Sequence, residues 1–586
     1  MMAAGVNVPL PKDPGGGYTH EQHKRNYRAV AEAGELFRLT GDKRYAGFVR
    51  DLLVAYADMY PGLGPHPARS NQHYGRLFWQ ILNDAVWLVN SVQGYAHVRA
   101  TLNEADRLHI DNNLFRKAAT FLSVESVATF DRIHNHATWA TAGVGMTGYL
   151  LGDRDMVERA LTGSKKDGKA GFLRQVDQLF SPDGYYAEGP YYQRYALLPF
   201  MVFADAIEQN DPGRKIFARR DGVLIKALNT AIQLTYKGYF FPFNDAMKDK
   251  SLNTEELYQG VAIGYARTRN PELLSVARYQ NQVALSDHGR LVASDLDAGM
   301  AKSFAFRSLL LSDGPEGKDG AVAVLRHGDS ETGQAVVAKN SSQGMGHGHF
   351  DKLSFQYYDN GREVVTDYGA ARFLNIESKH GGRYLPENET WAKQTIAHNT
   401  LVVDGKSHFD NDEKRADKLS PTQVHYAAGP DFSVSVGTID GAYPGVAMAR
   451  ALALVTIKGL ERPVVVDLLR VRSQTPHRYD LPLHYAGHIT RVGAKLKSNV
   501  TGRPVLGTEN GFQHIWVDAE AEPEPGKAFV TWQLSDRFYT WRWQPTAGAR
   551  VLLAEIGAND PEFNLRREPI IIQRVEGAGD ALLAGV

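Results

Sequence analysis

The sequence predicts a chain of mixed class, with an N-terminal α/α toroid followed by a C-terminal antiparallel β-sandwich. Three observations predict it. The length, 586 residues, calls for more than one core at roughly 100–200 residues per domain. Apolar residues recur at three and four from about Tyr18 to about Leu285, the helical period. From about Ala321 onward they alternate, with Val, Thr, Tyr and Phe between turn residues, the strand period.

The helical part starts clearly at Tyr27–Tyr60. One helix should end at Leu39-Thr40, with Gly41 as left-handed cap and Asp42 capping the next, whose stripe is Tyr45, Phe48, Val49, Leu52, Leu53 and Tyr56. A related junction recurs at Leu151-Gly152-Asp153. Helix pairs joined by short turns suit a toroid around a cleft, although no strict repeat is present. Residues from about Ser286 to Gly320, with SDGPEGKDG, read as a linker, so residues 1–300 and 301–586 are expected as the two domains.

The clearest element of the second part is LSFQYYD-NG-REVVTDY, where Asn360-Gly361 is the pair a type I′ hairpin prefers. Further strands are expected at Gln334–Ala338, Asn399–Val403, Ala447–Lys458, Pro463–Val471, Ala528–Leu534 and Ala549–Ile556. So many antiparallel strands imply stacked sheets.

Composition removes several function classes. Lys plus Arg and Asp plus Glu each total 66, so no bulk basic field exists to hold a nucleic acid. The absence of cysteine excludes disulfides, thiolate catalysis and cysteine metal sites, leaving His, Asp and Glu as metal donors. No window has the roughly 18 apolar residues of a spanning helix; Tyr195–Ala206 is too short. The N-terminal stretch lacks the basic start and apolar run of a secretory signal.

Five segments could carry chemistry. GVGMTG, Gly143–Gly148, matches a dinucleotide fingerprint but follows a helix, so small residues for helix packing explain it better. HEQH, His20–His23, is one residue short of a zincin motif. In HNHATWA, Asn135 is either an N-cap or, with His136, a binder of one carboxylate. DGYYAEGPYYQRYAL, Asp183–Leu197, packs five tyrosines round a Gly-Pro break, which favours a carbohydrate surface over a core; Asp183 and Glu188 could also be a glycosidase pair. GMGHGHFDKLSF places His347 and His349 on one face if extended, and with Asp367 and His398 these offer zinc donors or ordinary strand polar residues. A regular hairpin would set Asp367 opposite Ser354, so the chain must bend or bulge near Gly348 for such a site to form.

Taken together, NHATW, DGYYAEGPYYQRYA, GHGHFDKLSF, TDYGAARF and HNTLVVDG, in this order through nearly the whole chain, resemble the alginate lyases of polysaccharide lyase family 17, oligoalginate lyases of the heparinase II/III-like group. The resemblance implies an incomplete (α/α)6 toroid, a β-sandwich, and exolytic β-elimination of mannuronate or guluronate oligomers to unsaturated monouronate. It makes Asn135 and His136 the carboxylate neutralisers and Tyr192 and Tyr384 the acid/base pair, with His347 close by. It makes His349, Asp367 and His398 ligands of a structural Zn2+, with no organic cofactor, and Asn71, Gln72, Tyr195 and Arg372 substrate-binding residues. Alginate oligosaccharides are the expected partner, without nucleic acid or membrane span, and a homodimer is an open expectation. Family chains usually carry an export signal ahead of the segment resembling VPLPKDPGGGYTHEQHKRNY, near which this chain begins; the periplasm or exterior is expected if such a signal was removed, the cytoplasm otherwise.

The chemistry wants these residue types. Removing the C5 proton of a uronate adds charge next to its carboxylate, so donors that strengthen as charge develops lower the barrier. Tyrosine, with an ordinary pKa near 10, suits proton donation to the C4 oxygen and acts as a base where cations favour phenolate. Tyr192 is assigned as acid and Tyr384 as base, with the reverse, or His136 or His347 as base, left open. The alternatives are a lyase of another uronate polymer such as a glycosaminoglycan, a glycoside hydrolase using Asp183 and Glu188, and a non-catalytic sugar-binding protein.

Overall fold

A computed structural model describes all residues except 1, 4–5, 8–13, 68–73, 330, 372–384, 500, 524–525, 546–547 and 558–563, and gives no side-chain placement for 2, 3, 6, 7 and 14. The chain divides into two compact units. The first comprises Met1–Phe180, Arg194–Leu228 and Asn253–Phe304; the second comprises Ser181–Gln193, Asn229–Leu252 and Ala305–Val586. Two segments ahead of residue 300 thus group with the second unit, because Tyr185, Leu234, Tyr236, Phe241 and Phe243 bury their side chains in a core with Leu311, Val322, Val324 and Val337. Sequence period assigns an element its type, whereas membership of a core depends on contacts distant in sequence.

The first unit is helical. Helix Pro14–Thr40 stops where Gly41 turns left-handed at φ 70°, and Asp42 caps Lys43–Met59 by accepting the Arg44 N–H at 2.9 Å. Val49, Leu53 and Tyr56 of the expected stripe are buried, but Phe48 is 47% exposed, since Ala46 and Ala57 complete the buried face instead. Gly152 and Asp153 repeat the same junction between Asn135–Leu151 and Arg154–Thr162. The glycine-rich motif lies inside Asn135–Leu151 as packing surface: a Cβ on Gly145 would sit 2.0 Å from the Phe203 ring. The stretch expected as linker holds helix Asp287–Asp297, capped by Ser286 and anchored by buried Val292, and strand Leu309–Ser312. Its mixed charge is the solvated face of a short helix. No helix among the described residues is long and apolar enough to cross a membrane.

The second unit is rich in antiparallel sheet. Leu309–Ser312, Ala321–His327, Gln334–Asn340, Ser354–Asp359 and Arg362–Val365 form a five-stranded meander. Asn360 and Gly361 both take positive φ, 49° and 73°, as the type I′ reading requires. A second five-stranded sheet joins Thr422–Ala428, Phe432–Tyr443, Val446–Val455 and Val464–Ser473 to the C-terminal Ala581–Gly585. A six-stranded sheet has His477–His484, Glu568–Ala578, Arg550–Ile556 and Ile515–Ala521 at its centre, and a three-stranded sheet holds His488–Val492, Phe529–Leu534 and Arg537–Arg542. Of the strand expected at Asn399–Val403 only Val402–Val403 pairs, because the Asn399 amide is spent bridging two other segments.

Candidate active site

In the first unit the site begins at a helix end. His134, extended at φ −169°, is the N-cap of Asn135–Leu151, its ring nitrogen accepting the His136 N–H at 3.3 Å, while Gln175 Oε1 accepts the His134 N–H at 3.0 Å. Asn135 is therefore the first helical residue, not the cap, and it is buried. Asn135 and His136 sit at the positive end of a 17-residue helix dipole, a setting that favours a carboxylate. Four residues on, Trp139 packs against Tyr195 with ring centroids 5.3 Å apart, and both line a cavity of about 240 Å³ with Lys24, Tyr27, Arg28 and Glu255. Burial raises the Tyr195 pKa, which suits a neutral phenol that donates a hydrogen bond. Asn71, Gln72, Arg372 and Tyr384 lie outside the described residues.

In the second unit the tyrosine-rich run divides by burial. Tyr185 and Tyr186 are fully buried and their phenols pushed well above the ordinary range by desolvation, so these two are core, contrary to a wholly carbohydrate-facing run. Tyr192 opens helix Pro190–Asn210 and remains partly exposed. The hydrolase pair finds no support in the geometry. Asp183 accepts the Ser312 N–H at 2.9 Å and its hydroxyl, as a turn anchor, and Glu188 is fully buried.

The segment holding His347 and His349 is not extended. His347 ends the turn Met345–His347, and a Cβ on Gly348 would fall 1.6 Å from the Gln343 carbonyl, which is why the chain can fold this tightly. The expected bend near Gly348 is present, but it brings the two imidazoles together by a route other than strand parity. Both rings meet one carboxylate: His347 Nδ1 lies 3.0 Å from Asp245 Oδ2 and His349 Nε2 lies 3.1 Å from Asp245 Oδ1. Asn388 Nδ2 donates to Asp245 Oδ1 at 2.7 Å, the Asp245 N–H donates to His347 O at 3.2 Å, and the Tyr192 hydroxyl donates to Asp245 O at 3.5 Å. The Tyr192 ring stacks on His347 with centroids 3.9 Å apart and planes 19° from parallel. Burial opposes ionisation of Asp245, yet the hydrogen bonds it accepts from His347 and His349 prevail and hold it below the usual carboxylate range.

Asp245 escaped sequence reasoning because FFPFNDAMKD has no motif and stands about a hundred residues from its partners. Its placement depends on Asn244, held left-handed at φ 59° by Lys339 Nζ donating to its Oδ1 and by its own Nδ2 donating to Glu188 O at 2.9 Å.

Of the expected metal donors, Asp367 and His398 gather with Asp351, while His349 stands beside that group and outside it. His398 Nδ1 lies 3.0 Å from Asp367 Oδ2, and the His349 and His398 ring centroids are 5.2 Å apart. One donor atom each from Asp351, Asp367 and His398 fall within 4.8 Å of one another, all three residues buried. Asp351 was missed, although its place two residues after His349 was a readable signal. Hairpin register did not foresee this. A bulge shifts the pairing so that Val365 faces Tyr357, and pairing ends there, releasing Asp367 from the strand. The Asn399 amide then donates to Phe355 O and Thr366 O, at 2.9 and 2.8 Å, and closes the gap. His349 Nδ1 and Asp351 Oδ1 are buried without hydrogen-bond partners among the described residues, and orphaned donors beside two carboxylates and an imidazole fit a divalent cation. Burial again opposes ionisation of Asp367 and Asp351, but His398 and Lys339 respectively overcome it.

Residues 7–238 match the model of the alginate lyase family, and residues 310–581 match that of the heparinase II/III-like C-terminal domain. An alginate lyase of Stenotrophomonas maltophilia (strain K279a) is 55% identical over the whole chain, which covers 79% of that relative. An exo-oligoalginate lyase of Saccharophagus degradans (strain 2-40) is 52% identical, again over the whole chain and 80% of the relative. Among solved structures, a heparan sulfate lyase from Pedobacter heparinus superposes with TM-score 0.61 at 14% identity, over 100% of this chain and 79% of that one. A heparinase III superposes with TM-score 0.59 at 14% identity, over the same shares. The structural matches establish a shared fold of helical and sheet-rich parts; the sequence matches establish that this chain belongs to the alginate lyases of polysaccharide lyase family 17, in the heparinase II/III-like group.

Proposed function

We propose that the protein is an exolytic lyase of alginate oligomers, cleaving 1,4-linked uronates by β-elimination to release unsaturated monouronate. The observation that carries this reading is Tyr192 stacked on His347 at 3.9 Å, in a chain 52% identical throughout to an exo-oligoalginate lyase. Supporting it, Asn135 and His136 occupy a helix N-terminus, where amide, imidazole and dipole all favour the uronate carboxylate and the extra charge it gains when the C5 proton leaves. Tyr192 donates a proton to the departing C4 oxygen, Tyr384 takes the C5 proton, and His347, stacked on Tyr192, is a partner for its phenol charge. Tyr195, Asn71, Gln72 and Arg372 hold the sugar. The helices are read as an α/α toroid and the sheets as a sandwich, supported by apolar residues of four sheets sharing one core, among them Val336, Leu452, Val530 and Ile571.

A structural Zn2+ belongs to the same reading, held by His349, Asp367 and His398, with Asp351 completing the donor set. When bound, the ion supplies positive charge to the buried carboxylates and a cross-link between three segments.

The test is the ultraviolet absorbance of conjugated unsaturated uronate with mannuronate-rich and guluronate-rich oligomers and with heparan, for the wild type and Tyr192→Phe. Absorbance on alginate oligomers that the variant loses is expected. New reducing ends without absorbance would replace elimination by hydrolysis, and absorbance confined to heparan would replace the substrate.

A further inference from the structure

We propose that Asp245 is a positioning residue that fixes the tautomers of two histidines at once, so that one carboxylate sets the lone pair facing the metal and the lone pair facing the reaction. This deepens the lyase reading and rests on it for the role of His347.

An ionised carboxylate only accepts hydrogen bonds. With Asp245 Oδ2 3.0 Å from His347 Nδ1 and Oδ1 3.1 Å from His349 Nε2, both of these nitrogens carry the proton. In neutral imidazoles the remaining nitrogens then carry the lone pairs: Nε2 of His347 and Nδ1 of His349. The second assignment agrees with an independent observation, since His349 Nδ1 is a buried ring atom without a hydrogen-bond partner among the described residues, beside His398 with its ring centroid 5.2 Å away. A metal-binding imidazole is commonly oriented this way, by a carboxylate on its other nitrogen. The first assignment makes His347 Nε2 the acceptor of that ring, on a side chain that keeps 14% exposure while Asp245 and His349 keep 1% and 0%.

The carboxylate has few ways to move. Asn388 Nδ2 holds Oδ1 at 2.7 Å, and the Asp245 backbone is bonded on both sides, its N–H to His347 O and its carbonyl to the Tyr192 hydroxyl. Asp245 therefore touches the proposed acid, the imidazole stacked on it and a proposed metal ligand.

Asp245→Asn is the informative change, because an amide offers one acceptor and one donor in nearly the same volume. One of the two histidines must then turn or change tautomer. With oligomannuronate as substrate, kcat should fall at least 100-fold while KM changes less than threefold, and the zinc bound per chain should fall. Ring nitrogen shifts of histidine-labelled wild type should show His347 as the Nδ1–H form and His349 as the Nε2–H form, with at least one assignment lost in the variant. Wild-type His347 found as the Nε2–H form, or a folded variant with kcat within threefold and both tautomers kept, overturns the proposal. The wild-type ring shifts decide even where the variant does not fold. A wild type that releases no unsaturated product from any uronate oligomer refutes the lyase reading, while the ring shifts still decide the role of Asp245.

Discussion

Asn135 shows how a one-residue shift changes a role. As an N-cap it would satisfy its own helix; it stands instead as first helical residue behind the His134 cap, at the positive end of the helix dipole. Asn135→Ala should lower kcat about 10²- to 10³-fold, the cost of losing one donor to developing charge, with the melting temperature moved little; steady-state rates and a thermal scan check both. Gly348 makes the opposite point, being chemically silent yet required. A Cβ 1.6 Å from a backbone carbonyl cannot be relieved by a rotamer change, so Gly348→Ala should cost about 3 kcal/mol by overpacking and displace His347 and His349, read as a lower denaturant midpoint and lost activity. Both residues stand in motifs that the sequence displays. Asp245 does not, since an aspartate that serves two imidazoles about a hundred residues away has no local signature.

Strand His477–His484 depends on a neutral histidine at its end. His484 Nε2 donates to Ile396 O at 2.9 Å and its N–H donates to Asn399 Oδ1 at 2.7 Å, tying this strand to the turn that carries His398. Desolvation pushes the His484 pKa down to about 4 and that of His408 to about 3. The unfolded chain takes these protons near pH 6.5 and the folded one does not. Stability is therefore full above pH 6.5 and declines as pH falls toward 4, by up to about 3 kcal/mol for His484 alone. Melting temperatures from pH 7.5 to 4.5 should fall, and His484→Gln should show a shallower slope than the wild type. Helix junctions such as Gly41-Asp42 and the Asn360-Gly361 turn were legible because cap and turn chemistry is local. The helix at Asp287–Asp297 was not, because its mixed charge imitates a linker.

Zinc would join segments that the chain keeps far apart, since Asp351, Asp367 and His398 share one buried donor cluster. Exhaustive chelation should lower the melting temperature of the second unit by several degrees and restoring Zn2+ should return it, as linkage requires of a ligand bound only by the folded state; calorimetry with and without chelator checks it, and an unchanged melt would remove the metal from the structure. The two periods of the sequence determined which part is helical and which is sheet, because burying one face of a helix or strand imposes its repeat on the chain. The ordered motifs determined the family, because they extend along nearly the whole chain. Only the tertiary structure decided that Ser181–Gln193 and Asn229–Leu252 join the sheet-rich unit, that a bulge frees Asp367 from its hairpin, and that Asp245 stands between His347 and His349. Each of these is a contact between residues distant in sequence, set by packing and hydrogen-bond satisfaction in a core and not by the preference of any local segment.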